Sequence, residues 1–178
     1  MNRKGVAMVR RSRAPWGWLL PLVLLAVFYC TPSETEPLNL RADSPTGRVR
    51  VFLIAPEDGG GLGRKAPCSD SAVPVVVELP RQRPALEGAL EALLALDGRY
   101  DRTTGFYNPL YASPLEIQRI ERAGAEARVY LTGYVEVGGD CDGPRMLAQL
   151  TETALQFEDV QQVQFYLGGK PLGALLGS

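Results

Sequence analysis

The strongest constraint on this chain is a change of period between Asp142 and Leu167. Leu147, Leu150, Ala154 and Phe157 recur at the three- and four-residue spacing of one helical face. Asp142-Gly143-Pro144 stands at the start, with an aspartate of the type that caps helices. After a Phe-Glu-Asp-Val turn, residues 160–167 read as a strand that ends on Gly-Gly-Lys-Pro. A helix with one apolar face followed at once by a strand has to be laid on a sheet.

The rest of the chain can be read against that pair. Residues 48–55 alternate, with Val49, Val51 and Leu53 on one face and Arg48, Arg50 and Phe52 on the other. Residues 56–70 read as a loop. Residues 72–79 form a second β-like run in which Pro74 suggests an edge. Leu86, Leu90, Leu93 and Leu94 share a face, which predicts a helix over 84–96, with Pro84 in its first turn and Gly98 as a stop. A long loop, 97–115, carries Tyr100, Phe106, Tyr107 and Tyr111. Residues 116–122 and 127–135 then predict a hairpin about Ala123-Gly124-Ala125-Glu126. The order is strand, β-like arm, helix, strand, strand, helix, strand.

The segment from Gly138 to Leu172 resembles the closing half of the GerMN (spore-germination, "germane") domain. In that family a helix ends in a "tLtqfpgV" phrase and a strand follows that finishes near "dGkp". The matching residues here are Leu150, Thr151, Leu155, Gln156, Phe157, Val160, Val163, Phe165, Gly169, Lys170 and Pro171. The resemblance extends over about 47–172. It implies an α+β fold: an αββαβ core like the ring-building motifs of secretion and sporulation assemblies, plus an N-terminal strand. The expected layout is a single small mixed sheet of four to five strands with both helices packed on one face. The family is not an enzyme family, so the resemblance implies a non-catalytic interaction domain with no cofactor. Its sporulation members help assemble a trans-envelope complex.

Composition narrows the chemistry further. There is no histidine, which excludes Ser-His-Asp and Cys-His machinery and His-based zinc sites. Arg3, Lys4, Arg10, Arg11 and Arg13 precede every acidic residue, the first being Glu34. Beyond residue 30 the chain therefore has 14 basic and 20 acidic side chains, a net charge of about −6. An acidic domain without clustered Lys and Arg argues against nucleic acid as a partner.

The basic start is followed by the uncharged run WGWLLPLVLLAVFYC over 16–30. This is the layout of an export signal. Residues 1–31 read as a signal or membrane anchor, and the polar, Pro-containing 32–46 as a flexible tether to the domain at 47–178. Fifteen apolar residues are short for a spanning helix, and bulky Val27, Phe28 and Tyr29 precede Cys30, a candidate lipidation site. An uncleaved anchor, a cleaved signal and a lipoprotein all fit. Each places the domain outside the cytoplasm, at the membrane or secreted.

In an oxidising compartment Cys68 and Cys141, the two cysteines of the exported domain, are expected to pair. Asp140-Cys141-Asp142-Gly143 lacks the ligand alternation of a calcium loop, and Gly59–Lys65 lacks the Ser or Thr of a phosphate loop. Glu116, Glu121, Glu126 and Glu136 show no sign of a shared pocket, and no metal site is expected. The candidate working surface is aromatic. Tyr107 and Tyr111 lie in the long loop; Tyr130, Thr132 and Tyr134 are expected to share the outer face of the hairpin. The partner expected there is a protein of the cell envelope, or alternatively cell-wall glycan.

Overall fold

The structure is a computed structural model and describes residues 47–79 and 83–177. The expected signal segment, Cys30 and the tether lie outside the described residues. Among the described residues no helix is long and apolar enough to cross a membrane.

Strands β1 (Arg48–Ala55), β2 (Arg64–Ala66) and β3 (Asp70–Glu78) form one antiparallel sheet in the order β1-β3-β2. Helix α1 (Ala85–Leu94) follows. Strands β4 (Leu115–Ala123), β5 (Glu126–Gly133), β6 (Gln162–Leu167) and the two-residue β7 (Lys170–Pro171) form a second, mixed sheet in that order, with β5 and β6 parallel. Helix α2 (Asp142–Ala154) is the crossover between β5 and β6, and a short α3 (Leu172–Leu176) closes the described chain. The fold is α+β.

The expected single sheet is thus replaced by two, and the reason lies at the free edge of β1. That edge is occupied by side chains from the end of α2 and the turn after it, and by a loop. Thr153 Oγ1 accepts from the Phe52 N–H at 3.0 Å. The Gln156 carboxamide accepts from the Arg50 N–H at 3.1 Å and donates to the Arg50 carbonyl at 2.6 Å. Ile54 exchanges two backbone hydrogen bonds with Tyr107, at 2.9 and 2.8 Å. With its polar groups satisfied in this way, β1 has nothing left to offer another strand. Pro74 fits the same logic: it pairs with Phe52 on β1, while β2 reaches only Asp70–Ala72, so its missing N–H falls where β3 has no neighbour.

Helices α1 and α2 pack on each other and on β1, and α1 also meets β4. Their apolar faces complete one core: Leu86, Leu90 and Leu93 from α1, Met146, Leu150 and Ala154 from α2, Val49, Val51 and Leu53 from β1, Val129 and Leu131 from β5, and Phe165 from β6. β1 is buried on both faces. Its Phe52 and Ile54 enter a second, smaller core with Ala66, Ala72 and Tyr107. Gly143 lies where a Cβ would collide with the Leu176 carbonyl, so the α2–α3 approach requires glycine there.

Candidate functional site

Two surfaces and one buried network have the geometry of a working site. The network is built around the start of α2. Asp142 is the first residue of the helix, not its cap: the N-cap is Cys141, which makes no side-chain capping bond. The Asp142 carboxylate turns to the interior, where it accepts from the Tyr107 hydroxyl at 3.0 Å. Arg145, one turn on, grips the fully buried Asp70 and passes 3.5 Å from Asp142. Asp70 also accepts from the Glu57 N–H at 2.8 Å. Burial, then the hydrogen bond to Asp142 and its charge, push the Tyr107 phenol up to about 12. The ion pair with Asp70 raises the Arg145 guanidinium despite its partial burial. A disulfide joins Cys68 and Cys141 beside this network, with Cα atoms 6.1 Å apart and a sequence separation of 73. Cys68 and Ser69 both hold positive φ, 63° and 59°.

The arrangement binds three segments into one body: the loop from β1 to β3, the start of α2, and the long loop after α1. That last loop is ordered. Tyr100 and Tyr107 face each other as a bridge, Asp101 N–H donates to the Phe106 carbonyl at 2.9 Å, and Asn108 donates to the carbonyls of Leu96 and Gly98. Asp101 organises the tip, accepting from the Thr104 hydroxyl at 2.7 Å and from the N–H groups of Thr103 and Thr104. The Thr104 hydroxyl, then its N–H, hold the Asp101 carboxyl below the usual carboxylate range.

The first surface rises from this loop. The Arg99 guanidinium carbon lies 5.8 Å from the ring centroid of Tyr100, 5.7 Å from that of Tyr107 and 5.8 Å from that of Tyr111. Tyr100 and Tyr111 are 54% and 41% exposed. Ser113 Oγ accepts from the Glu136 N–H at 2.9 Å, which ties the segment after β5 to the end of the loop. That segment carries Tyr134 and Val137, 58% and 45% exposed. These four account for most of the exposed large apolar side chains among the described residues.

The second surface is the outer face of the β5/β6 pair. Tyr130 stacks on Tyr166 with centroids 5.1 Å apart and planes 18° apart. Arg119 lies 3.5 Å above the Tyr130 ring, and Glu121 accepts from both Arg119 and the Tyr130 hydroxyl. Arg119, then Tyr130, lower the Glu121 carboxyl. Arg128 pairs likewise with Glu126. This face is solvated and satisfied within itself.

The tyrosines expected to form one patch are therefore divided. Tyr107 is buried, because its backbone pairs with Ile54 and its hydroxyl is used by Asp142. Tyr130 lies in the stacked ladder. Tyr134 does not share its face: β5 ends at Gly133, whose φ of 103° turns the chain and breaks the alternation. A Cβ at Gly133 would strike the Pro114 carbonyl. Tyr111 and Tyr134 are the two of the four that stand well exposed. The four glutamates are scattered, and among the described residues no three acidic or cysteine side chains converge as a metal site. Nothing in the sequence marks Arg145, and Arg99 is marked only by its place beside Tyr100.

Residues 51–173 match the family model Germane, described as sporulation and spore germination. The chain is a member of the Germane family. Among solved structures, the Germane domain here is similar to the tandem GerMN domains of the sporulation protein GerM from Bacillus subtilis, with 12% identity and a TM-score of 0.48. That match covers 69% of this chain and 39% of the other, so the matched part spans well under half of the GerM structure. No curated protein matches the chain.

Proposed function

We propose that this protein is a membrane-tethered, extracytoplasmic Germane domain that acts as a non-catalytic scaffold or assembly factor in the cell envelope. The observation that supports this most is the exposed aromatic surface of Tyr100, Tyr111, Tyr134 and Val137, carried on segments that hydrogen bonds hold in place. Large apolar side chains on a pre-ordered frame are what a docking surface needs, since little rotamer or loop entropy is then lost on binding. The Cys68–Cys141 bridge fits an oxidising compartment, and the basic then apolar N-terminus fits export.

Photo-crosslinking in intact cells tests the reading. A crosslinker at Tyr134 should yield a discrete adduct with an envelope protein, while one at Val76 on β3 should not. A reporter fused after Ser178 should be active only outside the cytoplasm; activity only inside would refute the topology. A second reading, a module for cell-wall glycan, draws on a hollow of about 150 Å³ beside Tyr100 lined by Asp97, Asp101 and Arg102. Co-sedimentation with purified cell wall would support it.

A further inference from the structure

We propose that the Cys68–Cys141 bridge is a redox-sensitive clip, opened in the folded protein by an external dithiol, and that its state sets the width of the groove between β2 and α2.

Three observations lead there. First, the bridge stands at one end of that groove. A space of about 270 Å³ is lined by Lys65, Ala66 and Pro67 on one wall and by Pro144, Leu147 and Ala148 on the other. Cys68 follows Pro67 directly, and Cys141 lies three residues before Pro144, so the disulfide ties wall to wall. A second tie, the ion pair of Arg64 with Glu152, joins the same walls. Arg64 is half-exposed, so solvent and salt weaken that pair, and the covalent bridge is the firmer of the two. Second, the bridge can be reached. Cys68 is exposed, whereas Cys141 is half-buried. Thiol exchange depends on access to the sulfur attacked, and access selects Cys68. Third, the bridge holds a costly turn. Cys68, with φ 63° and ψ 27°, and Ser69, with φ 59°, are consecutive left-handed residues that carry a Cβ, a conformation that side chains disfavour. Opening the bridge lets this turn relax. The release stops at Asp70, the next residue, which Arg145 grips in the interior. The groove therefore loosens at its Cys68 end while the core stays packed.

The chemistry is two successive exchanges. A thiolate of the dithiol attacks Cys68 Sγ. A mixed disulfide forms, the Cys68–Cys141 bond breaks, and its electron pair leaves on Cys141 Sγ. The second thiol of the reagent then attacks the reagent sulfur of the mixed disulfide and displaces Cys68 Sγ. The dithiol ends as a disulfide, and its electrons and protons end on the cysteines as thiols. A disulfide reagent reverses both steps.

The test uses the full chain carrying Cys30→Ser, in detergent micelles, with dithiothreitol and no denaturant. Protein thiols should appear at a rate proportional to the reagent thiolate, as attack on the folded state requires. A rate that reaches a ceiling as dithiothreitol increases would mean that unfolding must come first, and overturns the proposal. Glutathione followed by rapid alkylation traps the first step. Peptide mapping should find the adduct on Cys68 about tenfold more often than on Cys141, because access favours the exposed sulfur; equal or inverted labelling overturns it. Amide spectra of the oxidised and reduced chains report the groove. Shift changes should reach Lys65 and Ala148 on the facing walls, beyond the immediate neighbours of the cysteines, with the dispersion of a folded protein kept elsewhere. A spectrum that collapses on reduction marks a purely structural bridge, and one that changes only beside the cysteines shows that the bridge sets no width. Either result overturns the proposal. Cys68→Ser/Cys141→Ser should reproduce the reduced spectrum and no longer respond to dithiothreitol.

Discussion

Arg145 grips Asp70 across 75 positions of sequence, with Nε 2.6 Å from Oδ2 and Nη2 3.2 Å from Oδ1. The acid is fully buried and the arginine side chain partly so. Removing one partner strands a charge in the interior. Arg145→Met should therefore cost about 3–5 kcal/mol. The double variant Asp70→Leu/Arg145→Met should recover much of that loss, because no unpaired charge remains. Urea denaturation of the four chains measures both numbers.

The disulfide has a separable effect. It closes a 73-residue separation, and in the chain-entropy view such a crosslink stabilises by roughly 4 kcal/mol. Cys68→Ser/Cys141→Ser should lower stability by about 2–4 kcal/mol. The same loss should follow reduction of the wild-type protein, and non-reducing peptide mapping should recover the linked peptides.

Capping of β1 predicts a polar requirement within a helix. Thr153 is fully buried and its hydroxyl serves the Phe52 N–H. Thr153→Val keeps the shape and leaves that donor unpaired, so it should cost about 1–3 kcal/mol. Gln156→Leu should do likewise at Arg50. A neutral result for both would show that water reaches the edge.

The pH dependence follows from Tyr107. An unfolded tyrosine ionises near 10, whereas here the phenol is pushed up to about 12. The folded state holds the proton more tightly. The linked stability is complete below about pH 10 and is lost as pH rises from there towards 12. Tyr107→Phe should be less stable than wild type at pH 8, and the gap should narrow at pH 11.5. Denaturation midpoints at both pH values give the comparison.

Tyr130 and Tyr134 should now behave differently. Tyr130→Ser removes the stack on Tyr166 and the contact with Arg119, and should cost about 0.5–1.5 kcal/mol. Tyr134→Ser should leave stability within about 0.5 kcal/mol while reducing adduct formation from a neighbouring crosslinker at Val137.

Much of the fold could be read from period alone. Helix α1 follows from its leucine stripe, α2 from an apolar stripe whose inward face is set by Met146, Leu150 and Ala154 and leaves Leu147 half-buried, and the β4–β5 hairpin from its alternation, because burial on one face imposes a repeat. What escaped has no repeat to impose. β2 is three residues, Arg64–Ala66, that become a strand only by lying against Asp70–Ala72. α3 is five residues held by contact with α2 and β6. Thr153 and Gln156 looked like ordinary polar positions of a helix; their role depends on a strand 100 residues earlier. The aromatic site was half legible. Aromatic density marked the loop, but which rings face outward was decided by Gly133 and by the pairing of Tyr107 with Ile54.

The sealing of β1 carries a consequence beyond stability. A bare outer strand is an invitation to zip onto the next chain, and crowding copies together on any support would multiply such accidents. Here that strand answers only to its own helix and loop. On this side, copies of the domain can stand shoulder to shoulder and remain individuals.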